Sequence, residues 1–464
     1  MPGSTLERIY YELPVWLQNG IMSLYGLQLA RIRYNPHFFS LLRSLKESEW
    51  WSPEQIQAQQ NQRVREIVRH AYRSVPFYRR WYDEHGVNVE RIAGADDLAQ
   101  LPVLSKQTVR EHYGEMVSTD FARKSLTKGL TSGTTGTPLT IWQTREGAAF
   151  QWAIWWRHKA RFGLSLGDRH LVFGARVPVS QNQNGPPYWR HDRFNKRVYL
   201  STYHISAKTV GPIVDYLNST HFDFFTGYPS AMYTLTTLME EAGLRLTNRP
   251  KYVVAGADAL TPEFEASIRR GFGVPVTEQY GMAEFAGNLS KCERGMFHLD
   301  FECCHLEQEA IPGGDNQYKL IFTGWGNPAM PFIRYEVGDV ASAANDACAC
   351  GRSSPSLERI DGRLEDFVVT PDGRHVIGMN QVLEYARNAK TIQVYQREKN
   401  AIELRVVPGN GFGEEDKQAL VRELRRRVGP DMAINFRIVD RFVLSPTGKF
   451  RAVISEVARE AKAS

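Results

Sequence analysis

Thr131-Ser132-Gly133-Thr134-Thr135-Gly136-Thr137-Pro138 is the stretch from which the rest of the chain is read. The hydroxyls of Thr131, Ser132, Thr134 and Thr135 are interleaved with Gly133 and Gly136, two residues free to take positive φ. Backbone N–H and side-chain O–H groups can therefore converge on one anion. A triphosphate suits such a set. The string has neither the Gly-Lys-Ser/Thr ending of a Walker loop nor the G-x-G-x-x-G of a dinucleotide fold. Taken alone it also fits an ordinary Ser/Thr/Gly surface turn.

The chain of 464 residues is too long for one core, so a large domain and a smaller one are expected. A net charge of +6, from 57 basic and 51 acidic residues, is small for this length and speaks against a nucleic-acid partner. No apolar run reaches the roughly 18 residues of a membrane span. Glu7 and Glu12, then Gln18, Asn19 and Ser23, interrupt the amino-terminal apolar stretch, unlike a secretion signal. Five cysteines read as reduced thiols of a cytoplasmic protein.

Residues 1–50 read as a helical arm carrying Tyr10, Tyr11, Trp16, Tyr25 and Phe38, which could pack on the chain or form a homodimer contact. Residues 53–85 read as an arginine-rich helical stretch over an aromatic core. Residues 150–162 read as a helix whose Trp152, Trp155 and Trp156 fit a core better than a cofactor cradle. Between 169 and 340, short strands (Leu171-Val172-Phe173, Tyr252-Val253-Val254, Val274-Pro275-Val276) alternate with helical runs, the pattern of an α/β sheet with ligands at its strand ends. The break falls after Asp361. Residues 1–361 form the large domain, and 362–464 form a small α+β domain with strands at 367–369, 391–396, 401–407 and 434–439 and helices at 380–388 and 414–428.

Four further motifs carry chemistry. In Glu278-Gln279-Tyr280-Gly281-Met282-Ala283-Glu284 a ring beside glycine can face a purine, and a carboxylate four residues on can hold a hard cation. In Arg334-Tyr335-Glu336-Val337-Gly338-Asp339 an acid at a strand end can take two ribose hydroxyls. Gly362-Arg363-Leu364-Glu365-Asp366 marks the domain break, and Pro446-Thr447-Gly448-Lys449 lies near the carboxyl end. Each alone also fits a turn, linker or strand end.

In this order and spacing, the five motifs resemble those of the adenylate-forming superfamily of acyl-CoA ligases, adenylation domains and luciferases. Gly227-Tyr228-Pro229-Ser230, Ile333-Arg334-Tyr335 before Gly338-Asp339, and Thr370-Pro371-Asp372-Gly373-Arg374 resemble its phenylacetate-CoA ligase-like branch, which includes capsular polysaccharide biosynthesis proteins. The resemblance runs from about residue 50 to the end. It implies a large multi-sheet amino-terminal domain with a small mobile α+β carboxyl-terminal one, and a two-step reaction. A carboxylic acid attacks the α-phosphate of ATP, giving acyl-adenylate and pyrophosphate; CoA or another acceptor then displaces AMP.

By the same resemblance, Thr131, Ser132, Gly133, Thr134, Thr135 and Gly136 would cradle the β- and γ-phosphates. Tyr280, with Gly281 and Met282, would face adenine, bordered by Ala257 and Asp258. Glu284 would bind Mg²⁺, Asp339 the ribose, and Arg363 would sit between ribose and phosphate. Glu365 would be the hinge, and Lys449 the mobile cation that joins substrate carboxylate and α-phosphate. Phe173, Tyr228 and Pro229 are candidates for the acyl pocket, and no charged residue stands out as the partner of a charged acid.

The chain departs from the pattern in four places. Thr137 stands where many relatives have lysine, and Ala283 where threonine or serine is common. Glu365 replaces an aspartate, and Thr370-Pro371-Asp372-Gly373 replaces the glycine-rich turn that meets the CoA thiol. The last leaves room for a sugar, amine or carrier-protein acceptor. A nucleotide-binding homologue without turnover is a third reading, disfavoured because Glu284, Asp339, Arg363 and Lys449 are all present.

Cys292-x₅-His298 and, some fifty residues later, Cys348-x-Cys350 supply three sulfurs and one imidazole, a closed tetrahedral set for structural Zn²⁺. Such a site would tie a loop leaving the Tyr280 motif to one leaving the Asp339 motif. Scattered reduced thiols are the bland alternative, and Cys303 and Cys304 read as buried strand residues.

Overall fold

The computed structural model describes residues 5–130, 140–174, 176–311, 316–344, 346–363, 368–371, 375–376, 382, 388–440, 442 and 450–457; the side chains of 5–7, 130, 363, 375, 390 and 426 are not described. The chain is a mixed α/β protein with a large multistranded sheet and a separate carboxyl-terminal domain.

Local signals set the helix ends. Ser52 and Gln55 form a reciprocal capping box that starts helix Pro53–Ser74. Thr261 caps helix Pro262–Phe272, and Gly273 ends it in the left-handed region at φ 69°. The Thr144 hydroxyl accepts the Gly147 N–H at 2.9 Å and opens helix Arg145–Arg161.

Twelve strands share one sheet. Its parallel centre runs Val276–Gly281, Tyr252–Gly256, Phe224–Gly227, His170–Phe173, Arg197–Leu200. Trp189–Asp192 closes one side antiparallel. On the other side Asn288–Lys291, Phe297–Leu299, Ser356–Arg363, Phe332–Ala343, Gln317–Gly324 and Cys304–Ala310 follow, all antiparallel. The expected strand at 274–276 begins at Val276, although the Pro275 carbonyl already accepts the Val253 N–H. One core packs helices Pro53–Ser74 and Arg145–Arg161 on the sheet, and a second packs Val210–Ser219, Pro229–Glu241 and Pro262–Phe272.

The amino-terminal arm is three helices, Thr5–Glu12, Val15–Arg33 and Pro36–Ser48. It docks on the edge strand Trp189–Asp192. Asn19 Oδ1 accepts the His191 N–H at 2.9 Å, Ser23 Oγ accepts the Arg193 N–H at 3.1 Å, and buried Arg190 donates to Gln18 at 2.6 Å. Gly26 permits the approach, since a Cβ there would stand 2.2 Å from Asp192. An edge that would otherwise offer unpaired backbone is thereby covered.

The carboxyl-terminal domain orders its strands Ala433–Ile438, Ala401–Pro408, Ala389–Glu398, Val453–Ser455, with helix Glu414–Val428 over its own core of Leu404, Leu420 and Leu424. Phe442 and Phe450 pack instead against Tyr233 and Phe264 of the large domain.

Candidate active site

The motif residues lie on two adjacent strands, Tyr252–Gly256 and Val276–Gly281, and on Phe332–Ala343, which stands four places further along the sheet. Register pairs Gly256 with Gln279, so Ala257 and Asp258 leave one strand beside Tyr280 on the next. Ala257 turns the chain at φ 64°. The Tyr280 hydroxyl donates to Asp339 Oδ2 at 2.5 Å, although 59 residues separate them. Gly338, at φ 74°, aims that carboxylate out of the strand, and Asp339 faces Arg363 in the ladder to Ser356–Arg363. The Tyr280 ring lies over Phe322 with centroids 6.2 Å apart. Glu284 is buried and the Tyr335 hydroxyl reaches its Oε1 at 3.4 Å. Phe285 follows at φ 53°, fixing how the carboxylate leaves the strand. Tyr280, Glu284, Asp339, Ala257, Asp258 and the backbone of Arg363 are thus drawn to one end of the sheet. The loop Thr131 to Gly136, the Arg363 side chain, Glu365 and Lys449 lie outside the described residues.

Asp258 is engaged within the chain. It accepts the Ser230 hydroxyl at 2.5 Å and the Phe450 N–H at 3.5 Å, so it links the Tyr228-Pro229-Ser230 turn to the carboxyl-terminal segment. Gly227 admits no side chain, because at φ 126° a Cβ would stand 1.8 Å from the Phe173 carbonyl. Phe173 itself is fully buried against Phe225 and Phe272, which assigns its ring to the core, not to a pocket wall. Tyr228 and Pro229, also buried, sit at the strand end where helix Pro229–Glu241 begins.

Helix Arg145–Arg161 flanks the site on the other side of Gly281. Gln151 donates to the Met282 carbonyl at 3.2 Å, and Trp155 Nε1 to Asn288 Oδ1 at 3.1 Å. Asn288 also donates to Asp300, which accepts Ser290 Oγ at 2.6 Å and pairs with buried Arg157; Arg157 is held in turn by Glu302. Two acids against one guanidinium keep the group charged in spite of burial. This hub beneath the Tyr280 strand was not found by sequence reasoning, since its members are scattered from 157 to 302. Glu278, two residues before Tyr280 on the same face, is pushed up to about 7 by burial, opposed by Lys291.

Cys292, His298, Cys348 and Cys350 meet, all four donor atoms within 4.8 Å of one another. The Cys292 and Cys348 sulfurs are 3.6 Å apart, and Cys350 Sγ is 3.3 Å from His298 Nε2. Two thiolates on one tetrahedral zinc stand about 3.8 Å apart, whereas a disulfide needs about 2.05 Å. His298 Nδ1 faces the Ser354 carbonyl at 3.3 Å, which leaves Nε2 as the ligand atom. The donor set fits Zn²⁺. Strand register places this cluster beyond Lys291, about three residues along the ladder from Tyr280.

Comparison with known proteins gives a consistent picture. The CapK C-terminal domain family matches residues 368–456. CapK of Staphylococcus aureus is 23% identical over 460 residues, covering 97% of this chain and 100% of CapK. The phenylacetate-coenzyme A ligase of Thermus thermophilus is 26% identical, covering 70% of this chain and 74% of the ligase. Among solved structures, 2-hydroxyisobutyryl-CoA ligase in its postadenylation state superposes with TM-score 0.67 at 18% identity, covering 89% of this chain and 93% of that one.

Proposed function

We propose that this chain, a homologue of CapK and of phenylacetate-CoA ligases with the fold of an adenylate-forming CoA ligase, activates a carboxylic acid with ATP and passes the acyl group to CoA. The observation that carries the reading is the junction of Tyr280 and Asp339, with Glu284 and Ala257-Asp258 at neighbouring strand ends.

In the first half-reaction a carboxylate oxygen of the acid bonds to the α-phosphorus, the bond to the bridging α–β oxygen breaks, and pyrophosphate leaves. In the second, a thiol sulfur attacks the acyl carbon and AMP departs with the electron pair. Charge builds on the phosphoryl oxygens in the first, so the protein acts by positioning and charge compensation. The Thr131–Gly136 loop holds the β- and γ-phosphates. Asp339 takes the ribose hydroxyls while Tyr280 lies along the base. Glu284 supplies a buried oxygen ligand for Mg²⁺, whose charge offsets that of the phosphates. Arg363 and Lys449 bring the remaining positive charge, Lys449 on the carboxyl-terminal domain. Zn²⁺ held by Cys292, His298, Cys348 and Cys350 braces the two strands behind the site.

Acid-dependent exchange of labelled pyrophosphate into ATP, with hydroxylamine to trap the adenylate, tests the first step. Exchange in wild type and its loss in Lys449→Ala, with ATP binding kept, is the expected result. Exchange near wild type in that variant removes the reading. The Thr370-Pro371-Asp372-Gly373 string, in place of a glycine-rich turn, leaves room for a second acceptor, a sugar, an amine or a carrier-protein thiol. Adenylate that forms but is not discharged by CoA selects it.

A further inference from the structure

One stripe of helix Arg145–Arg161 leads away from the reacting centre. Gln151 and Trp155 touch Met282 and Asn288 at its near end, and a Cβ on Gly281 would stand 3.6 Å from Trp155 Nε1. Trp152 follows, its ring centroid 4.9 Å from that of Trp155, and Lys159 lies one turn beyond Trp155. The middle of the helix is buried on every other side: Gln151, Ala153, Ile154, Trp156, Arg157, His158 and Lys159 are covered, whereas Trp152 and Trp155 keep partial access. These two indoles, packed against the core on one side and partly open on the other, mark the face along which a cleft would run.

The far end of that cleft is cationic. Arg33, at the last turn of the amino-terminal arm, stands 4.0 Å above the Trp152 ring, and Arg197 lies 5.6 Å from the same ring. Arg176 stacks on Tyr199 at 5.4 Å and on Tyr25 at 4.8 Å. Buried Lys159 Nζ donates to the Trp155 carbonyl of its own helix at 3.3 Å and lies 5.3 Å from the Trp156 ring, neither of them an anion. Arg197 donates to Tyr34 and to His170, neither an anion. Buried Asp192 faces Arg197 across the strand pair; burial alone would lower that guanidinium, but Tyr34, Tyr199 and Asp192 raise it, while Asn195 holds the carboxylate at 2.6 Å. Among the described residues none of these four cations forms an ion pair with a carboxylate.

Buried charge of one sign is costly unless a counter-charge arrives. The molecule shows that cost. Burial and neighbouring Arg197 lower Lys159 to about 7, and burial with Arg197 and Arg176 lowers Arg33 to about 10. Elsewhere Arg157 pairs with Asp300 and Glu302, and Arg161 and Arg352 with Glu49, whereas buried Arg190 is satisfied by the neutral acceptors of Gln18, Gln183, Pro187 and Trp189.

We infer that the acid activated here carries a second anionic group, a carboxylate or phosphate, which Arg33, Arg176, Arg197 and Lys159 receive at the far end of the Trp155–Trp152 cleft. The inference rests on the adenylation reading above, which puts the nucleotide, and with it the carboxylate that attacks its α-phosphorus, beside the Tyr280-Gly281-Met282 segment. It gives the amino-terminal arm a part in specificity through Arg33. Two indoles separate the ends, so a ring or an extended chain must span between the two acidic groups.

The test uses the full-length protein and matched probes: 4-carboxyphenylacetate and 4-phosphonobutanoate with two anionic groups, 4-methylphenylacetate and monomethyl adipate with one, and adipate. Tryptophan quenching without nucleotide reads binding, and pyrophosphate exchange reads adenylation. At least one doubly anionic probe is expected to exceed its singly charged match by about tenfold or more in both. Arg33→Gln, a half-buried position, should lower binding of that probe roughly 10- to 100-fold and change the singly charged probes less than about threefold. A merely structural arginine would lower both classes alike, and that result overturns the inference. So does wild-type preference for the singly charged probes, or the absence of binding by any doubly charged one. Tight binding of doubly charged acids with no exchange would instead remove the adenylation reading and leave the anion subsite standing.

Discussion

Gly281 and Asn288 face each other across the strand pair, and the side chain of Asn288 occupies the space that Gly281 leaves: a Cβ there would stand 2.7 Å from Asn288 Oδ1. That oxygen cannot swing aside, because it accepts Trp155 Nε1 while the amide nitrogen donates to buried Asp300. Gly281→Ala is expected to destabilise the fold by about 1–3 kcal/mol and to depress pyrophosphate exchange. Denaturant midpoints and exchange rates check this. Asn288→Ser in the same chain should recover part of the stability by opening the space; no recovery would mean that the strain lies elsewhere.

Asp339 is predicted to serve ATP and not the acid. Asp339→Ala should raise KM for ATP about 10- to 100-fold with little change in KM for the acid, the loss of charge-assisted bonds to ribose. Tyr280→Phe removes the 2.5 Å bond to Asp339 but keeps the ring, so its effect should be smaller. Equal effects on both substrates' KM values would contradict the assignment.

How far the sequence alone reached follows from where each group's chemistry resides. Tyr280, Glu284 and Asp339 sit in short strings whose composition already announces a ligand, and the structure brings them to one sheet end. Cys292, His298, Cys348 and Cys350 were legible by donor type, since few other roles gather three sulfurs and an imidazole. The cation cluster was not legible. Arg33, Lys159, Arg176 and Arg197 come from four segments, and one arginine in a polar neighbourhood reads as solvated surface until the fold removes its water. The place of Phe173 was not legible for a related reason: an aromatic at a strand end looks the same in sequence whether it faces a pocket or, as here, packs on Phe225 and Phe272. Among the antiparallel strands, Phe297–Leu299 and Asn288–Lys291 are too short to show an alternation and could not be placed from the sequence.

Zn²⁺ in the Cys292–His298–Cys348–Cys350 set predicts about one equivalent of zinc by elemental analysis of purified protein. Cys348→Ser should lose the metal and lower the melting temperature together, since metal binding contributes folding free energy. Wild-type protein stripped by a chelator with an unchanged melting temperature would remove the site from the account of stability.

Glu278 predicts an unusual pH dependence. Its carboxyl is ordinarily near 4.5 and is raised to about 7 in the folded chain by burial, opposed by Lys291 and reinforced by Glu265 and Asp258. Between these values the folded state holds a proton that the unfolded state has released, so stability falls as pH rises from about 4.5 to 7 and then levels. The change is on the order of 3 kcal/mol. Glu278→Gln should flatten that part of the profile, measured as denaturant stability against pH; a slope kept in the variant assigns it to another group.

Phe450 offers a way to separate the two half-reactions. Its ring packs on Phe264 with centroids 5.3 Å apart and on Phe442 at 4.7 Å, and its N–H reaches Asp258 at 3.5 Å, so it fastens the segment next to Lys449 to the large domain. The core of the carboxyl-terminal domain is made by other residues, Val394, Leu404, Leu420 and Val453 among them. Phe450→Ala should therefore leave that domain folded while weakening its docking. A catalytic lysine delivered by docking acts in proportion to the docked population. Adenylation, read by pyrophosphate exchange, should fall at least about tenfold. On the mobile-domain reading, discharge of a supplied acyl-adenylate by thiol uses a different placement of the domain and should be unchanged or faster. If both half-reactions fall together while the melting temperature holds, the contact belongs to a single working arrangement, and the mobile-domain reading of residues 362–464 must be given up.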